Sequence, residues 1–265
     1  MNTQFFCPRW GSEDIGWVDF CQKVKEAGYD GIEYGIARNT TDWELDHAWN
    51  TAAQQGLLMV SQHYDTVTAD FSRHLETYHA WLERIKPYPV LKINSQTGKD
   101  FFSFGQNCQL IQLGNEYGVL HETHRGKFSF AAHITKTYLE EIPELRLTLD
   151  VSHWFCVAES LLDDQAEVLQ LATERTDHIH ARLGYPEGPQ VSDPRSPEWL
   201  EVFDRHLVLW DRVAERKKAE QEMLTITPEF GPYPYMVRLP VRGEPISNQW
   251  EINRYMMSIL RERYE

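Results

Sequence analysis

Short apolar runs recur along the chain, and longer stretches with helical spacing lie between them. The runs are QFFCP near residue 5, DGIEYG near 32, LLMVSQH near 60, PVLKIN near 92, YGVLHE near 120, LRLTLD near 148, DHIHAR near 179 and LTITPE near 226. Each has the length and composition of a strand. Between them, segments such as SEDIGWVDFCQKVKEAG, DFSRHLETYHAWLERI and SPEWLEVFDRHLVLWDRVAERKKAEQ begin near a Ser or Asp that can satisfy the free N–H groups of a first helical turn. Gly28, Gly56 and Gly118 fall where helices should stop and strands begin. NQWEINRYMMSILRERYE supplies a last helix. The alternation predicts an α/β fold of parallel strands joined by helices, a (β/α)8 TIM barrel forming one domain over residues 1–265. An open doubly wound sheet shares the alternation, but it carries a Gly-rich phosphate loop after its first strand, and CPRWGSED is not one.

Composition narrows the function classes. With 42% hydrophobic and 12% aromatic residues, 265 residues can fill a large core, and 25% charged residues is ordinary for a soluble chain. The formal net charge of −14 opposes nucleic acid and anionic membranes as partners, since both require a basic face. The first residues show no basic segment followed by a long apolar one, and no run has membrane-spanning length, so a cytoplasmic protein is expected. Cys7, Cys21, Cys108 and Cys156 form no CxxC pair and read as reduced thiols. The Gly- and Pro-rich stretch GYPEGPQVSDPRSPE follows a strand, which places it on the face where barrels keep their chemistry, as a substrate loop or a plain connector. Trp199, Phe203, Leu207 and Trp210 recur at helical spacing and suit barrel packing or a homo-oligomer contact, with packing the preferred reading.

Four strands end in titratable residues. Alternate residues of a strand share a face, which groups Leu120 with Glu122, Thr148 with Asp150, His178 with His180 and Thr227 with Glu229. Glu122, Asp150, His180 and Glu229 then meet in one quadrant of the barrel mouth. Three carboxylates so close repel one another unless a cation sits among them. A divalent metal meets that need, with Mn²⁺, Mg²⁺ or Co²⁺ suited to the donors and Zn²⁺ tolerable. His178 lies deeper and reads as a hydrogen-bonded core imidazole, while His121 and His124 read as structural. Glu33, His63, Asn94 and Gln96, near the ends of the second to fourth strands, are candidates to line a sugar pocket. Trp10, Trp17 and Trp154 either stack on a sugar or pack.

HETH, DVSH, HIHAR and TPEFG, each closing its strand in that order, resemble the xylose isomerase-like barrel superfamily, in particular its sugar phosphate isomerase/epimerase group. The resemblance covers essentially the whole chain. It implies one divalent metal held by Glu122, Asp150, His180 and Glu229, and it makes His153, in the Asp-x-x-His element that starts at Asp150, a substrate contact. The family's Lys-Asp and later Arg after the third ligand are missing; Ala181 and Arg182 follow His180, and Arg182 stands as the substitute substrate contact. The chemistry expected is isomerisation or epimerisation of a small sugar or sugar phosphate through a metal-held enediolate, with Glu122 and Glu229 as acid and base. Arg182 and Arg195 are the candidates to hold a phosphate near the Gly- and Pro-rich loop. The alternatives are a non-catalytic metal- and sugar-binding sensor and a metal-dependent hydrolase of the endonuclease IV type.

Overall fold

Strands form where one face of an apolar run can fill a barrel and the other can meet a helix. In the computed structural model, which describes residues 2–265, the eight runs become β1 (Thr3–Pro8), β2 (Gly31–Gly35), β3 (Leu58–His63), β4 (Lys92–Ser95), β5 (Val119–Glu122), β6 (Leu147–Leu149), β7 (Thr176–His180) and β8 (Leu224–Thr227). They pair in sequence order, all parallel, and β1 closes on β8. The architecture is a (β/α)8 TIM barrel.

The helices are α1 (Trp17–Glu26), α2 (Asp42–Gln54), α3 (Phe71–Ile85), α4 (Phe104–Glu116), α5 (Ala132–Glu141), α6 (Val151–Ala158), α7 (Ala166–Glu174), α8 (Leu200–Ala219) and α9 (Gln249–Tyr264). Side-chain caps start several of them. Thr41 and Glu44 form a reciprocal capping box on α2, Ser103 and Gln106 another on α4, and Asp70 accepts the Arg73 N–H at 2.8 Å to open α3. Gly56 and Gly118 take positive φ, 66° and 70°, to turn from helix into strand. The first helix begins at Trp17 rather than at Ser12, because Arg9 Nη2 donates to Ile15 O at 2.6 Å and holds the intervening residues as a loop.

The main core lies between barrel and helices; Phe203 and Trp210 of α8 are buried in it and the partly buried Trp199 and Leu207 pack against it, so this stripe is barrel packing. Below the mouth, the barrel interior is polar. Thr148 Oγ1 donates to Asn94 Oδ1 at 2.7 Å, Asn94 Nδ2 donates to Glu33, and His178 bridges Thr225 and Glu33. Every member of that layer has a partner, which is the condition for burying it. Among the described residues, no helix is long and apolar enough to cross a membrane.

Candidate active site

The C-terminal ends of β5 to β8 deliver Glu122, Asp150, His180 and Glu229 to one place. Each is buried, and each offers a donor atom within 4.8 Å of the others. His180 Nδ1 lies 3.1 Å from Glu229 Oε2 and 3.7 Å from Glu122 Oε1. Two glycines permit the local approach. A Cβ on Gly231 would stand 2.0 Å from the Trp10 ring, and one on Gly184 would stand 2.6 Å from Ser152 O, so both turns beside the site require glycine.

The electrostatics are those of crowded carboxylates. Burial, with repulsion from Glu229 and Asp150, pushes Glu122 above the ordinary carboxylate range. Burial raises Asp150 too, although the Arg182 guanidinium paired with it pulls the other way. Burial also opposes ionisation of Glu229, but His180 and Arg182 outweigh it and hold that carboxyl low. For His180, burial disfavours the imidazolium, while Glu229 and Glu33 more than compensate and raise it well above its usual value.

The donor set fits a divalent cation. His180 Nε2 sits 3.0 Å from Glu33 Oε1, an acceptor that fixes the ring proton there. His180 Nδ1 is fully buried and makes no well-aligned hydrogen bond, despite the nearby Glu229. A proton and a divalent cation compete for that nitrogen, and three carboxylates surround it.

A pocket of about 630 Å³ opens onto this cluster, lined among others by Glu122, Glu229, Arg182 and Gln96. Gln96 Nε2 lies 3.5 Å from Glu122 Oε1. His153, buried, accepts from Arg182 Nη2 at 2.8 Å through Nε2, while its Nδ1 has no partner. Four of the expected pocket residues do not line it: His153, sealed behind Arg182, and three that lie elsewhere. Glu33 and Asn94 point into the barrel one layer too deep, in the polar network below the mouth. His63 points outward, bonded to Ser95 and Thr66 and packed on Tyr78 and Trp81 of α3. The inward position on β3 belongs to Gln62, whose Nε2 bridges Glu122 Oε2 at 3.3 Å and Glu229 Oε1 at 3.2 Å.

Sequence reading also missed His124. Its Nδ1–H donates to Arg125 O at 2.6 Å, so Nε2 is left as an acceptor, and the ring lines the pocket 4.0 Å from His153, centroid to centroid. The signal was its place two residues after Glu122, just past the strand, where parity no longer applies. Trp10 and Trp17 line the pocket, whereas Trp154 is buried with its indole N–H on Ser129 O. The Gly- and Pro-rich loop does not line the pocket; its Gln190 clasps Gly231 in two hydrogen bonds, and its Arg195 pairs with Asp193. Arg195 is therefore not poised for a substrate phosphate.

The chain is similar to two solved structures along nearly its whole length. One is the probable 3-DHS dehydratase AsbF involved in petrobactin synthesis in Bacillus anthracis, 18% identical, covering 99% of this chain and 100% of that one, with a TM-score of 0.59. The other is an AP endonuclease, family 2, from Brucella melitensis, 10% identical, covering 99% of each chain, with a TM-score of 0.57. The fold shared with both is a TIM barrel. At these identities the likeness concerns the barrel and not its chemistry. No protein-family model matches the chain, and no curated protein matches it.

Proposed function

We propose that the protein is a divalent-metal-dependent isomerase or epimerase of a sugar or sugar derivative. The observation that carries this reading is the convergence of Glu122, Asp150, His180 and Glu229, with donor atoms within 4.8 Å of one another, on a pocket of small-molecule size. A divalent cation, if held by these four residues, would supply Lewis-acid stabilisation of negative charge developing on substrate oxygens.

The remaining work falls to the chain's own side chains. Glu122 and Glu229 serve as base and acid, one taking the proton from a carbon beside a carbonyl and the other returning a proton. Return to the opposite face of the same carbon gives an epimer, and return to the neighbouring carbon gives an isomer. The Gln62 amide, 3.3 and 3.2 Å from the two carboxylates, fixes their relative position. Arg182 has only donors, so its contact with His153 Nε2 places the His153 ring proton on Nδ1. Burial holds His153 well below its usual pKa, as a neutral ring that lies behind the pocket wall and positions Arg182, which does line the pocket. His124 Nε2 offers an acceptor for a substrate hydroxyl.

An endonuclease-like role for this chain is opposed by Glu13 and Glu44 on the pocket wall and by a net charge of −14, which repel a phosphodiester backbone. A non-catalytic sugar-binding barrel has one observation in its favour: Arg182 pairs with Asp150, so a guanidinium already offsets part of the charge a cation would meet. Two measurements decide. Elemental analysis of protein purified without chelator should find one divalent ion per chain, lost in Glu229→Gln and Asp150→Asn; full retention in both removes the four-residue site. Incubation with a ketose panel in D₂O and Mn²⁺ should place deuterium at the isomerised or epimerised carbon. Tight binding of a ketose with no exchange and no turnover would favour the sensor.

A further inference from the structure

Arg9, the residue that follows β1, is a buried cation on which Glu13 acts without forming an ion pair. Its side chain lines the same pocket as Glu122 and Glu229, yet the residue is only 7% exposed. Nη2 donates to Ile15 O at 2.6 Å and reaches Glu13 O at 3.5 Å. The guanidinium carbon lies 4.7 Å from the centre of the Trp17 ring and 4.5 Å from that of Phe20. Nη1 is buried and has no hydrogen-bond partner. Among the described residues, no carboxylate forms an ion pair with Arg9. The contrast lies within the same molecule: Arg182 is paired with Asp150, and buried Lys217 with Asp177 and Glu222.

A guanidinium has five N–H donors and is always charged, so burying it half-satisfied is costly. Two carbonyls and two aromatic faces hold the group in place without neutralising it. The Arg9 side chain also lines the pocket, so an occupant of the pocket can supply the missing charge, and an anion is a stronger partner there than a hydroxyl. Glu13 and Glu44 line the same pocket and oppose a doubly charged group. A single negative charge suits an unpaired guanidinium on a pocket wall that also carries two carboxylates.

We infer that Arg9 anchors a carboxylate of the ligand, so that the pocket takes a polyhydroxylated carboxylic acid in preference to a neutral sugar or a sugar phosphate. This rests on the sugar-processing reading above and specifies its substrate class. The sugar portion reaches the cluster at the ends of β5 to β8, while the acid group meets Arg9 at the end of β1, next to β8 in the closed barrel.

The test is calorimetric titration of the full chain with D-glucuronate and D-galacturonate, with the aldonates of the same sugars, with the parent aldoses, and with their 6-phosphates. Each is measured with Mn²⁺ and after chelator treatment. At least one sugar acid should bind tenfold or more tighter than its neutral parent and tighter than the matching phosphate. The preference should survive chelation, fall to near unity in Arg9→Gln, and persist in part in Arg9→Lys. Metal content should be unchanged in both variants, so failure of the metal site and failure of the anchor give different results. Arg9 also fastens the loop through Ile15 O; if Arg9→Gln does not fold, the acid-to-neutral ratio of the unaltered protein and of Arg9→Lys decides. The inference is overturned if no sugar acid binds better than its neutral parent, if the phosphates bind best, or if Arg9→Gln keeps the preference.

Discussion

At the scale of single residues, Glu33 shows how a side chain outside the pocket can govern the site. Its two oxygens face His180 Nε2 at 3.0 Å, His178 Nε2 at 3.3 Å and the Asn94 amide. All three are donors, so the carboxylate is matched and an amide would not be. Although burial opposes its ionisation, the two imidazoles hold Glu33 well below the usual carboxylate range. With its Nε2–H committed to Glu33, His180 is left with Nδ1 to bind a cation. Glu33→Gln presents an NH₂ to one of those donors and loosens the ring. The expected outcome is a folded barrel whose affinity for Mn²⁺ falls by about 10- to 100-fold, read by competition against a chelating dye. Unchanged affinity would mean that Glu33 serves the barrel interior alone.

At the scale of elements, the eight strands were legible because buried parallel strands are near-continuous apolar runs bounded by helix-length amphipathic segments. The convergence of Glu122, Asp150, His180 and Glu229 was legible for a related reason, since parity and strand ends fix both face and height. Parity fixes a face without fixing a depth, so Glu33 and Asn94 were set too high. On β3 the last residue, His63, faces α3, and the inward residue is Gln62 before it. His124 and Arg9 lie just past strand ends, where loop geometry and not period decides direction.

Helix α8 carries a pH effect that hydropathy does not reveal. His206 Nδ1–H donates to Val202 O at 2.8 Å, and Nε2 accepts the Gly184 N–H at 3.3 Å, so the neutral ring is fully satisfied. Burial lowers its pKa to about 4. The unfolded chain takes up this proton near an ordinary value of about 6.5, and the folded protein does not until the pH is much lower. The contribution is therefore present above about pH 6.5 and is lost progressively on acidification, by roughly 3 kcal/mol once the pH has passed the folded value. Urea unfolding of the protein and of His206→Gln from pH 7.5 to 4 should show a steeper loss in the former. Parallel curves would remove His206 as the cause.

At the scale of the whole molecule, three of four neighbouring strands end in carboxylates that repel one another, and one imidazole offsets only part of that. Glu122 faces Glu229 and Asp150 across a buried space, and burial first, with their repulsion added, raises its pKa. Function and stability should then pull in opposite directions, as they do where a site is built for a charge the protein itself lacks. A cation that binds only the folded barrel stabilises it by about 2.7 kcal/mol at a hundredfold excess over its dissociation constant, worth roughly 5–10 °C in a chain of this size. Glu122→Gln removes one of the repelling charges while keeping the side chain's shape. In chelator-treated protein it should melt at a higher temperature than the unaltered chain. With saturating Mn²⁺ the order should reverse, because the variant has lost an anionic donor and gains little from the ion. Scanning calorimetry of both proteins, each with chelator and with Mn²⁺, reads all four values in one experiment. If the variant instead melts lower in chelator and gains as much from Mn²⁺ as the unaltered chain, Glu122 is a structural carboxyl and the cation site does not include it.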